Sequence, residues 1–101
     1  MWCRRKNIAF GNTNYMHKFQ CPCCDYFSLD RLAEYDICRV CYWEDDGNDL
    51  NSLDAHSGPN HMTLREARTN FREFGACDNA MQKKVLSVDQ RKKYSFKERD
   101  S

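Results

Sequence analysis

Two C-x-x-C pairs constrain this chain more than any other feature. Cys21 and Cys24 form the first, Cys38 and Cys41 the second, with thirteen residues between them. Two cysteines three apart, in a turn whose later N–H groups point inward, offer two sulfurs to one ion. Two such turns close a tetrahedron, with Zn–S about 2.3 Å. A disulfide scaffold is the competing use of clustered cysteines, but the chain carries seven of them, and full pairing of an odd number leaves one thiol over. The longest apolar run near the N-terminus is Ile8-Ala9-Phe10, too short for the core of a secretory signal. Nothing approaches the roughly 20 apolar residues of a membrane helix. A reducing cytoplasm is therefore expected, where clustered thiols serve as metal ligands or catalytic groups. We read Cys21, Cys24, Cys38 and Cys41 as ligands of a structural Zn2+ ion. A rubredoxin-like iron site for electron transfer is the alternative, since an all-thiolate tetrahedron suits both metals.

The turns carry further chemistry. Pro22 fixes φ and removes a competing donor inside the first. Asp25 and Tyr42 follow the second cysteine of each pair, where a left-handed residue is usual. Asp tolerates that region better than most side chains, and Tyr is less comfortable there, so the second turn is expected to differ in geometry. A thioredoxin-like redox motif wants a helix after its cysteines, whereas here a second strand is expected. Cys23 is read as a small side chain pointing away from the ion. No spacing ties His17, His56 or His61 to it as a base, and no enzymatic role is expected. Cys77 is read as a buried apolar residue.

The pattern along the chain predicts a strand, the cysteine turn and a second strand between Lys18 and Leu29, then a half-buried strand over 34–37, "EYDI". "EDDGND" lacks the register of a calcium loop and is read as a solvated acidic loop. Thr63 and Glu66 have capping-box spacing. Leu64, Ala67, Phe71 and Phe74 then form one apolar stripe of a helix, with Arg65, Arg68 and Arg72 on its solvated side and Gly75 at its C-terminal cap. The stripe is expected to pack on strands bearing Tyr26, Leu29, Tyr35, Ile37 and Trp43. A weaker helix is predicted over 78–94, with disorder after Tyr94. Residues 1–15 are expected to be a disordered extension or a start-site artefact, 16–78 the cysteine-rich domain, and 79–101 a basic helix and tail. The fold class is small α+β: zinc-ribbon-like antiparallel β knuckles, one amphipathic helix and a weaker C-terminal helix.

A net charge of +1 hides segregation: residues 1–20 carry +4, residues 21–82 carry −7, and residues 83–101 carry +4. Two kinds of partner follow. An acidic body with Tyr42 and Trp43 beside Glu44, Asp45 and Asp46 offers an anchor-plus-charge patch to a basic, toxin-like protein. The basic C-terminal segment offers phosphate contacts to nucleic acid, although the acidic body repels a phosphate backbone.

"CPCC" at 21–24, "YDICRVCYWEDDG" at 35–47, "GPN" at 58–60 and "LREARTNFREFGACD" at 64–78 together resemble the cysteine-rich CPCC domain family. The resemblance covers roughly residues 18–78. It implies a small bacterial protein with a zinc-ribbon core, no established catalytic activity and a start near Met16. Asp25 stands where that family has glycine, and Arg39 where proline is common.

Overall fold

The computed structural model describes residues 18–99. The expected N-terminal extension over 1–15, with Cys3, lies outside them, as does His17. Strand β1 (Phe19–Gln20) and strand β2 (Phe27–Leu29) pair antiparallel, with the first C-x-x-C turn between them, as the pattern predicts. A second hairpin joins β3 (His56–Ser57) to β4 (Met62–Thr63). Helix α1 (Leu64–Phe74) follows directly, and a short helix α2 (Val88–Arg91) closes the order of elements. Among the described residues, two short antiparallel hairpins and two short α-helices thus form a small domain.

Helix α1 begins and ends as its sequence dictates. Thr63 Oγ1 accepts the Glu66 N–H at 3.1 Å, and the Glu66 carboxylate accepts the Thr63 N–H at 2.8 Å. These bonds satisfy donors that the first helical turn leaves open. Gly75 adopts φ 78° and donates its N–H to Phe71 O, ending the helix with a left-handed cap. The buried stripe is shifted from the expected one. Leu64 and Ala67 are fully buried, but Phe74 is exposed, and Arg68 is buried with them. The reason is an acidic partner under the helix, described below.

The remaining core is thin. Leu29, Val40, Trp43 and Tyr94 join Leu64 and Ala67 around the cysteines, so much of what is buried is sulfur. Trp43 is fully inside, whereas Tyr35 and Ile37 are exposed and take no part in the packing under α1. The expected strand over 34–37 does not form. Tyr35 sits at φ 65°, which breaks a pleat. The Asp36 and Asp45 carboxylates take the N–H groups of Asp30, Arg31 and Ala33, leaving one isolated bridge between Ile37 and Glu44. The acidic loop is likewise not simply solvated. Asp45 is buried, and Asp46 accepts from Asn48 N and Ser57 Oγ. These carboxylates satisfy the loop's own backbone and side-chain donors.

The helix predicted over 78–94 is broken in two. A 3-10 turn spans Asn79–Lys84, Val85 is extended, and Ser87 starts α2 with its own capping box to Gln90. Between them the Leu86 N–H bonds to Arg39 O, drawing the chain onto the second cysteine turn. Residues 95–99 are ordered against the first hairpin: Phe27 N donates to Ser95 O at 2.8 Å, and Tyr26 bridges Phe96.

Candidate metal centre

The two C-x-x-C turns have the same backbone architecture. Asp25 N donates to Cys21 O at 3.0 Å, and Tyr42 N to Cys38 O at 2.7 Å. Cys21 N donates to Tyr26 O at 2.8 Å, and Cys38 N to Trp43 O at 2.9 Å. Asp25 and Tyr42 close the turns at φ 69° and 73°. Tyrosine therefore occupies the left-handed position despite its bulk, and the expected difference between the turns is absent. The bonding pattern of the turn decides the backbone here, and the side chain accommodates it.

These turns face each other and bring four buried sulfurs together. Cys21 Sγ lies 3.6 Å from Cys41 Sγ, and Cys24 Sγ lies 3.7 Å from Cys38 Sγ. All four sulfurs lie within 4.8 Å of one another. A tetrahedral ion bonded to sulfur at about 2.3 Å requires sulfurs roughly 3.8 Å apart. The donor set thus fits one tetrahedral metal ion, and each side-to-side contact joins one turn to the other.

The surroundings favour ionised sulfur most at Cys38. Its sulfur accepts the N–H groups of Val40 and Cys41 at 3.3 and 3.4 Å. The Ser28 hydroxyl lies 2.9 Å away and donates when that sulfur is ionised. Burial pushes the Cys38 thiol up, but hydrogen bonds from Cys21, Cys24, Cys41 and Ser28 outweigh it and pull the group well below its ordinary value. Burial dominates at the other three. It raises Cys21 and Cys41 well above the ordinary thiol range and Cys24 to about 11. A site with one easily ionised thiol and three reluctant ones gives up protons when a cation enters.

Asp25 links this centre to the rest of the fold. Its carboxylate accepts both Arg68 Nη groups, at 2.8 and 3.0 Å, and the Arg99 N–H and Nε, at 2.9 and 2.8 Å. Arg68 also donates to Pro22 O at 2.6 Å. Burial works against the Asp25 charge, yet the bonds from Arg68 and Arg99 prevail and hold it below the usual carboxylate range. Arg68 lies one turn beyond Leu64 on the same helical face, the one available signal that it turns inward. Sequence periodicity assigned it to solvent, because a buried arginine looks identical to an exposed one until its partner is found.

Other candidate residues fall outside this group. Cys23 is buried but does not belong to the set of mutually close sulfurs. Cys77 is buried as expected, with burial pushing its thiol up to about 12, and its N–H donates to Cys41 O at 2.7 Å. His56 and His61 are exposed. Among the described residues, no helix is long and apolar enough to cross a membrane.

The hairpins, the bracing helix and the paired thiol turns define a small domain built around a four-cysteine cluster able to coordinate a metal ion. The profile of the Cysteine-rich CPCC family matches residues 19–92, and the chain belongs to that family. No curated protein and no solved structure matches the chain.

Proposed function

We propose that this chain is a non-enzymatic zinc-binding protein in which Cys21, Cys24, Cys38 and Cys41 hold one structural Zn2+ ion, in the manner of a zinc ribbon. The observation that carries this reading is the complete burial of four converging sulfurs. Four protein ligands fill a tetrahedron and leave no open position for substrate or water, which is the arrangement of structural rather than catalytic zinc. Metal binding in sites of this kind contributes on the order of 10–16 kcal/mol to folding, which suits a core as thin as this one. The reading requires reduced thiols and therefore a reducing compartment such as the cytoplasm.

The stapled scaffold serves as a protein-interaction module. Trp43 and Asp45, part of the patch suggested by sequence, are buried and are not its anchors. Leu32, Tyr35 and Ile37 are at least 47% exposed on the arm between the two turns. Asp30 and Asp36 on that arm pair with Lys18 and Arg31, and the exposed Glu34 leaves it net negative, favouring a basic partner face.

Elemental analysis of protein purified without chelator tests the metal reading. It should give one zinc per chain, lost in Cys24→Ser and Cys38→Ser variants; protein containing iron, or containing no metal, refutes it. Retention of DNA or RNA by the full chain at low salt would overturn the protein-module reading in favour of nucleic-acid binding.

A further inference from the structure

The two cysteine turns are gripped by different parts of the chain. The second is held from within the family-matched span, by Cys77 N on Cys41 O and Leu86 N on Arg39 O. The first is held by Arg68 on Pro22 O and, in addition, from beyond that span. Residues 95–99 run alongside the first hairpin, joined to it by an isolated bridge between Tyr26 and Phe96: Phe27 N bonds Ser95 O at 2.8 Å, and Lys97 N bonds Asp25 O at 3.3 Å. Gln20 Nε2 ties the two together by donating to both Asp25 O and Lys97 O. Phe96 packs its ring 4.7 Å from Tyr26.

Arg99 completes the closure. Its N–H and Nε take the Asp25 carboxylate, its Nη2 donates to Cys21 O at 2.9 Å, and its own carbonyl accepts Arg68 Nη2 at 2.9 Å. An anion between two guanidiniums carries a net charge of +1. It sits on the turn that contains Cys21 and Cys24. Four thiolates around a divalent ion carry about −2, so this cluster supplies counter-charge on the same side. It also fixes the carbonyls of the turn, which sets the direction of its two sulfurs. Residues that orient a ligand in this way control how firmly it holds a metal.

We propose that residues 95–99 form a strap that holds the first cysteine turn in its metal-binding shape, with Arg99 as the positioning residue. The proposal rests on the metal reading above. Arg99 is partly exposed, whereas Cys77, which grips the second turn, is buried, so release of the strap opens the Cys21–Cys24 side first. Metal therefore exchanges through the first turn while the second stays bound.

The test uses full-length protein loaded with Zn2+ or Co2+ and challenged with a chromogenic chelator. Arg99→Ala should release metal faster by roughly 10- to 100-fold. Arg99→Lys keeps the charge but loses the forked geometry and should fall between this variant and wild type. Arg65→Ala, which removes the exposed pair between helix α1 and Asp54, should release metal at the wild-type rate. The Co2+–thiolate absorption band should shift in Arg99→Ala, because ligand orientation has changed. Faster release with an unmoved band means general loosening and overturns the proposal, as does a wild-type rate in Arg99→Ala. If Arg99→Ala does not fold, Arg99→Lys is held to the same two readouts. A wild-type chain that takes up no metal refutes the metal reading itself, and the strap with it. Uptake with unchanged release overturns the strap alone.

Discussion

Replacing Asp25 by alanine removes the anion on which helix α1, the first cysteine turn and the C-terminal segment converge. Arg68 keeps its bonds to Pro22 O and Arg99 O but remains only 3% exposed, with no carboxylate beside it. Leaving a buried charge uncompensated costs about 3–5 kcal/mol. Arg99 is partly exposed and can turn to water, which places the effect near the lower end, about 3 kcal/mol. Position 25 also has φ 69°. Alanine is less tolerant of that region than aspartate and adds about 1 kcal/mol. The expected loss is therefore about 4 kcal/mol, a large share of the roughly 5–15 kcal/mol typical of a folded domain. Asp25→Gly separates the two effects, because glycine suits the backbone while still lacking the carboxylate. Urea unfolding of the metal-loaded chain, followed by far-UV circular dichroism, should rank wild type above Asp25→Gly and Asp25→Gly above Asp25→Ala. If Asp25→Ala falls within about 1 kcal/mol of wild type, the buried cluster does not contribute as described. If Asp25→Gly is no better than Asp25→Ala, the backbone argument fails.

Serine in place of Cys21, Cys24, Cys38 or Cys41 should abolish stoichiometric metal uptake, whereas Cys23→Ser and Cys77→Ser should each retain one metal per chain by native mass spectrometry. Metal affinity should fall as pH is lowered. In the metal-free site Cys21, Cys24 and Cys41 are pushed up and hold their protons, and each proton displaced steepens the decline by about tenfold per pH unit; calorimetry in buffers of different ionisation enthalpy counts the protons released. Ser28→Ala should weaken metal binding by about 1–3 kcal/mol through loss of the hydroxyl beside Cys38 Sγ, with Ser28→Thr restoring it in a chelator competition.

The thiol turns and helix α1 were legible because local chemistry determines them. C-x-x-C spacing, the Thr63–Glu66 capping pair and Gly75 act over a few residues, and each appears in the structure where the sequence puts it. The Tyr35–Ile37 arm was misread as a strand because its alternation of polar and apolar residues does not show that Asp36 and Asp45 bond the local backbone. Arg68, Asp25 and Arg99 were missed together. Asp25 is 43 residues from Arg68 and 74 from Arg99, and charges that pair across such separations look like solvated surface when read one at a time. The order of residues 95–99 was missed for the same reason: a short basic segment is fixed only when a hairpin edge accepts it.

The most direct test of the account removes the metal and asks whether the fold survives. Two-dimensional amide spectra of the full chain should be recorded before exhaustive chelation under reducing conditions, after it, and again on restoring one equivalent of Zn2+. The account predicts loss of dispersed resonances for the cysteine turns and helix α1 on chelation, and their return with the ion. A spectrum that stays dispersed and unchanged in the metal-free chain would contradict it, because sulfur and the few apolar side chains would then suffice to hold the core.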